Sequence, residues 1–290
     1  MRPIVLVVIA ACGRLEFQSD LGPDHDAGPD AACLGTGAFT DIQRIDAAST
    51  DDAQTAAFLS PDGLSLIWDQ LDGAIQRLHI ATRPSRTAAF PAGDVLPGMF
   101  AAVDYYNASI TADGLELYFD SRASVADCLY RATRTSTAVP FDPPVELAAL
   151  CANGDVTGAQ ISADGLTLVF NSSLAMSGQG DLYITERPDR TSEFPAAKKL
   201  GGLPTGIGFP ALSADRLRVW FEAQNGPGVK IVSAVRISPS DVFLNVKELT
   251  EIDTSGDEGD PALTLDESQL TFVSKRDGTY ATYIATRRCL

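Results

Sequence analysis

The chain has 290 residues, 45% of them hydrophobic and 21% charged, which is enough apolar material for one sizeable all-β domain and a tail. Its formal net charge of −16 excludes a nucleic-acid partner, because holding phosphates needs clustered Lys and Arg. The same charge disfavours docking onto anionic lipid head groups.

The first twelve residues read as an address. Arg2 supplies a minimal positive region, and Pro3 to Ala11 is an apolar stretch too short to span a bilayer. Ile9-Ala10-Ala11-Cys12 resembles a bacterial lipobox, which implies cleavage before Cys12, a diacylglycerol thioether on its sulfur and acylation of the new amine. Gly13 resembles the residue that follows the lipidated Cys in lipoproteins sent to the outer membrane. The expectation is an exported outer-membrane lipoprotein, facing periplasm or exterior, that touches the membrane through its lipid alone. Residues 13–38 are acidic and rich in Gly and Pro, as a flexible stalk would be.

From residue 39 onward the chain keeps a ruler. Asp62, Asp113, Asp164, Asp215 and Asp266 follow one another at intervals of 51 residues. A fixed period of that length is the mark of a propeller or solenoid, whose units cannot bury their apolar faces alone. Each mark sits in a turn followed by alternating apolar residues, such as Leu64, Leu66 and Trp68, and is preceded by a second apolar run, so each unit opens with a β-hairpin. A third strand then ends in Arg83, Arg134, Arg187, Arg236 or Arg287. Phe90, Phe141, Phe194 and Phe243 follow, each with a Leu six residues later, and read as a short fourth strand. Four antiparallel strands make a propeller blade, and five marks predict an all-β, five-bladed propeller over residues 39–290. The last unit stops before its fourth strand, while Phe39 lies 51 residues before Phe90. Residues 39–46 are therefore expected to complete the last blade from the N-terminal side.

With these residues in view the chain resembles the TolB-type, WD40-like β-propeller repeats, whose units place a small residue, Ser, any residue, Asp and Gly between two strands. The motif stands as Ser60-Pro61-Asp62-Gly63, Thr111-Ala112-Asp113-Gly114 and Ser162-Ala163-Asp164-Gly165, then degraded as Ser213-Ala214-Asp215-Arg216 and Thr264-Leu265-Asp266-Glu267. The unit is longer than usual and five blades differ from the six common in that family. The resemblance implies the architecture and carries no particular role in an envelope complex.

Once Cys12 is assigned to lipid, Cys33, Cys128, Cys151 and Cys289 form an even set in an oxidising compartment. The ruler places Cys33 beside the register of Cys289, where a bond would staple the ring shut. Cys128 opens the third strand of blade 2 and Cys151 follows the fourth, so the two are expected to face each other.

Little catalytic chemistry is visible. His25 lies in the stalk and His79 in the third strand of blade 1, where leaning on a neighbouring blade is the expected role. No zinc, calcium or phosphate-loop pattern appears, so neither cofactor nor metal is expected. Nine residues before the ruler marks stand Asp104, Asp155 and Asp257, with Asp260 close by and Asp51 and Asp52 near the first mark. One reading is a negative funnel at the channel rim that binds a cation, an amine or a basic peptide. A second is a five-bladed glycosidase. A third makes these residues acceptors of backbone hydrogen bonds from an adjacent loop. Tyr105, Tyr106 and Phe209, with Met99 and Phe100, add aromatic and apolar side chains to the same rim. The function that follows is a monomeric, non-enzymatic scaffold for an envelope protein or peptide, or a glycan. The alternative is a carbohydrate-active or other hydrolase using the rim Asp residues.

Overall fold

The computed structural model describes residues 37–49, 56–99, 103–121, 127–151, 154–173, 180–226 and 228–288. The expectations for the leader, Cys12, the stalk up to residue 36 and a Cys33 to Cys289 bond lie outside the described residues, as do Asp51, Asp52 and Phe100.

Five antiparallel sheets of four strands form the blades of a β-propeller. In blade 1 the inner strand is Ala57–Leu59, the second Ser65–Asp72, the third Ile75–Thr82 and the outer Asp94–Val95. Blade 2 uses Tyr105–Ile110, Glu116–Ser121, Cys128–Thr133 and Val145–Glu146. Blade 3 uses Asp155–Ile161, Thr167–Ser173, Asp181–Glu186 and Lys198–Lys199. Blade 4 uses Ile207–Leu212, Arg218–Asn225, Gly228–Val235 and Leu244–Glu248. Blade 5 is Glu258–Leu263, Gln269–Ser274 and Ala281–Thr286, completed by Thr40–Arg44 from the other end of the chain. Thr40 pairs with Thr286 and Arg44 with Tyr283, so the split blade expected from Phe39 is present.

Two local readings change. The alternating pattern suggests one buried face per second strand, yet Leu66, Ile67 and Trp68 are all buried, as are Leu117, Tyr118 and Phe119. A blade is packed between two neighbours and buries both faces, so its second strand becomes continuously apolar. The fourth strand is shorter than the Phe-to-Leu spacing implies, covering only two residues in blades 1 to 3. Pro91, Pro143 and Pro144, and Pro195 interrupt those segments, and a Pro cannot donate to a ladder. The blade 4 segment lacks Pro between Phe243 and Leu249, and its outer strand runs for five residues. The Phe residues lie before the strands, under the Arg side chains.

Cys128 and Cys151 form a disulfide with Cα atoms 5.4 Å apart. A short helical turn, Ala148–Cys151, brings the second Cys back to the third strand. This bond belongs to the chemistry of an oxidising compartment. Among the described residues no helix is long and apolar enough to cross a membrane.

Candidate functional site

The ruler residues build turns. Ser60 donates to the Asp62 carboxylate at 2.5 Å, which also accepts the Leu64 N–H at 2.9 Å. The same pair of bonds recurs at Asp113, Asp164, Asp215 and Asp266. The next residue is left-handed in every blade, with φ of 62° even at Arg216 and 55° at Glu267, where Gly has been replaced.

The Arg that ends each third strand then clasps its own turn. Its Nε donates to the carbonyl of Gly63, Gly114, Gly165, Arg216 or Glu267 at 2.6 to 2.8 Å. Its guanidinium lies 4.3 to 4.8 Å from the ring centroid of Phe90, Phe141, Phe194, Phe243 or Phe39. A hydrogen bond and a cation–π contact thus account for the Asp-Gly, Arg and Phe that repeat together.

The Asp residues nine before the marks join blades. Asp104 accepts the Gln76 N–H at 2.7 Å, Asp155 the Asp127 N–H at 3.1 Å and Asp257 the Val229 N–H at 3.0 Å. In each case the donor belongs to the start of the third strand of the preceding blade, 28 residues earlier. The backbone bond from Val229 and the Tyr280 hydroxyl hold the Asp257 carboxyl below the usual carboxylate range. These three carboxylates therefore have the geometry of seams between blades.

Tyr105 is buried, edge-on to Phe119 at 5.1 Å, inside the core between blades 1 and 2, where Met99 also packs. Tyr106 is half-buried on the same strand, opposite Asp120. His79 stacks on Trp68 and meets Asp72 at 3.2 Å, so it leans on its own blade rather than on a neighbour.

Asp260 and Phe209 come together. Both occupy a left-handed bulge in the inner strand, at φ 51° and 48°, as do Asn107 and Gly158. With Ala56 they give one residue per blade around a waist of the central channel of about 40 Å³. Each bulge frees a backbone N–H, and the second strand of the preceding blade accepts it. Asp69 takes the Asn107 N–H at 3.4 Å, Asp120 that of Gly158 at 3.0 Å and Asn171 that of Phe209 at 3.3 Å, while Glu222 takes that of Asp260. Asp69, Asp120, Asn171 and Glu222 are themselves spaced by 51, seven residues past the first four marks. That signal was present in the sequence, but it sits inside an apolar strand and only the channel geometry gives it meaning.

The result is a cluster of acids. Burial pushes the Asp120 carboxyl well up. Burial, reinforced by Glu222, Asp69 and Asp120, does the same for Asp260. Burial raises Glu222 to about 7. None of the described residues lining the waist is basic. Phe58 and Gln160 line both the waist and a cavity of about 380 Å³ above it, on the face of the ruler turns. That cavity lies among blades 1, 3, 4 and 5 and is walled by Ser162, Leu212, Trp220, Leu265, Arg216 and Glu267. Among the described residues no group of three or more His, Cys, Asp or Glu is arranged to hold a metal ion.

No family model and no curated protein sequence matches the chain. Solved structures do. TolB from Acinetobacter baumannii superposes with a TM-score of 0.53 at 14% identity, covering 84% of this chain and 57% of that one. A protein assigned as TolB from Agrobacterium tumefaciens gives 0.53 at 18% identity, covering 80% and 76%. The fold is a TolB-like β-propeller. A protein assigned as a glycoside hydrolase from Parabacteroides distasonis is similar as well, with a TM-score of 0.54 at 10% identity over 92% of this chain and 97% of that one. At such identities the likeness is one of fold. The chain spans a little over half the length of the Acinetobacter protein.

Proposed function

We propose that this TolB-like propeller is a non-enzymatic scaffold, exported and tethered through lipid on Cys12, that captures a protein or peptide segment at the channel mouth on the ruler-turn face. The observation that carries the reading is the 380 Å³ cavity opening over the acidic waist. Its wall mixes apolar Trp220, Leu212 and Leu265 with Arg216 and Glu267, the combination a segment with both apolar and charged side chains would use. The net charge of −16 steers basic segments toward it. The Cys128 to Cys151 bond supports export, and the lipobox supports an outer-membrane address. Of the residues singled out in the sequence, we assign ligand contact to Asp260 and Phe209. Asp104, Asp155, Asp257, Tyr105 and Tyr106 are assigned to holding the ring together.

A second reading is hydrolysis, favoured by Glu222, whose carboxyl near 7 would suit a general acid. Against it, Glu222 already accepts the Asp260 N–H, and a waist of 40 Å³ admits an ammonium head or one or two waters rather than a sugar ring.

The test is capture from envelope extract by the full chain and by Leu265→Asp, which alters an exposed cavity residue without touching the core. The scaffold reading expects one or more captured proteins to be lost from the variant. Identical captured sets would sink it, and glycan turnover abolished by Glu222→Gln would establish the second reading instead.

A further inference from the structure

The waist holds two buried oxygens that no other group among the described residues satisfies. Oδ1 of Asp260, on blade 5, and Oδ1 of Asn107, on blade 2, are both inaccessible and both lack a hydrogen-bond partner. A buried polar oxygen without a donor loses the hydrogen bonds that water gave it in the unfolded chain, and a carboxylate oxygen loses more than an amide one. Asn107 donates its Nδ2 to Asp120 at 2.9 Å, and the Asp260 N–H goes to Glu222. The orphaned oxygens are sealed from a water-sized probe as they stand, so a donor that enters the channel meets them through a small side-chain rotation of Asp260 or Asn107.

Phe209 belongs to the same ring of bulges. A bulky aromatic residue at φ 48° is costly, because its Cβ crowds the backbone in the left-handed region, where Gly158 sits at no such cost. A carboxylate, an amide oxygen and an aromatic ring around one small space are the three groups that recognise an ammonium ion. Size agrees, since about 40 Å³ fits a compact head group and little more. The surroundings agree too. Asp69, Asp120 and Glu222 stand behind the ring, burial holds Asp120, Glu222 and Asp260 toward their protonated forms, and a bound cation would let them ionise. A bare metal ion fits less well, since no group of three or more acidic, His or Cys side chains among the described residues is arranged around one point.

We propose that the channel waist is a primary-ammonium site in which Asp260 and Asn107 accept hydrogen bonds from the cation and Phe209 packs against it. The ammonium reaches the waist through the larger cavity, with which it shares Phe58 and Gln160. It is carried either by a lysine side chain of the captured segment or by a free amine. The proposal rests on the scaffold reading for its lysine form and stands without it for the free amine.

The test is calorimetric titration of the full chain with N-acetyl-lysine methylamide, n-butylamine, putrescine, sodium and calcium ions. Saturable binding of the amines is expected, weakened at least about tenfold in Asp260→Asn, which keeps shape and tolerates the left-handed backbone while removing the charge. Phe209→Asn, also compatible with that backbone, should weaken it about two- to fivefold. Tighter binding of the lysine amide than of butylamine would point to a peptide source, and tighter binding of putrescine to a free polyamine. The proposal is overturned if no amine binds, if Asp260→Asn binds amines as tightly as the parent, or if calcium alone saturates the site. A single cooperative thermal transition in each variant establishes that both fold. Amine binding without any captured protein would leave this site standing and remove the scaffold reading, and the converse result would do the reverse.

Discussion

Replacing Phe39 with Ala tests how the ring is closed. Phe39 is 3% exposed and packs with Leu249, Ile252, Leu270, Phe272 and Tyr283, in the core between the last two blades. Its ring lies under the Arg287 guanidinium at 4.8 Å. Removing a fully buried Phe costs about 3–5 kcal/mol, and the loss of a partly desolvated cation–π contact is included in that figure. For a domain of this size a kcal/mol corresponds to about 2–4 °C, so the melting temperature should fall by about 6–20 °C. Phe90 and Phe243 are the controls. Phe243 fills the same place in blade 4, is fully buried and is supplied locally by the chain, so Phe243→Ala should cost as much as Phe39→Ala. Phe90 is only half-buried, so Phe90→Ala should cost about half as much. The measurement is thermal and urea unfolding of the three variants side by side. If Phe39→Ala lost less than about 1 kcal/mol while Phe243→Ala lost the full amount, residues 39–44 would not be closing the last blade, and the ring would be held by blade-to-blade packing alone.

Stability should fall between about pH 4.5 and 7. Burial raises the Glu222 carboxyl to about 7 in the folded state, so the fold binds more protons than the unfolded chain across that window and its advantage is lost as pH rises through 7. Glu222→Gln should flatten that slope in pH-dependent urea titrations, and an unchanged slope would remove Glu222 from the account. At the acid end the sign is opposite. Burial alone would raise Asp266, but bonds from Thr264, Arg86 and Ser268 outweigh it and hold the carboxyl at about 2, so its contribution is present above about pH 4 and lost as pH falls through 2. Asp266→Asn should remove part of the acid-side slope. Asp104→Ala deletes the acceptor of the Gln76 N–H and should cost about 1–2 kcal/mol in chemical denaturation, since a charge-assisted bond is lost at a half-buried seam. Reducing the Cys128 to Cys151 bond, which spans 23 residues, should cost about 3 kcal/mol in the chain-entropy model. Peptide mapping without reductant should recover the linked pair, and free thiols at both positions would contradict the assignment.

The repeat is the part of this protein that a linear reading reaches furthest. Asp62, Gly63, Arg83 and Phe90 recur because a turn, its left-handed residue, a clasping guanidinium and the ring beneath it form one local unit that every blade must rebuild. Counting in steps of 51 also reaches Phe39, since strand pairing across the closure obeys the same period as pairing within a blade. The outer strands were less legible, because Pro residues trim a ladder without altering the spacing of the Phe and Leu on either side.

The site divides along the same line. Spacing alone placed Asp104, Asp155 and Asp257 together, and they do share one job, but that job is to accept a neighbouring blade's backbone N–H. Asp260 lies three residues past Asp257 and itself occupies the left-handed bulge, so Asp257 stays at a seam while Asp260 comes to the channel. A bulge changes which face a side chain occupies, so hydrophobic periodicity does not register it. The sequence by itself therefore determined the blade, the number of blades and the strand that completes the last one, because each is fixed by contacts at a constant separation along the chain. Which carboxylates are left unsatisfied around the waist, and that Phe209 and Asn107 join Asp260 there, was decided only when five different blades were brought to one axis.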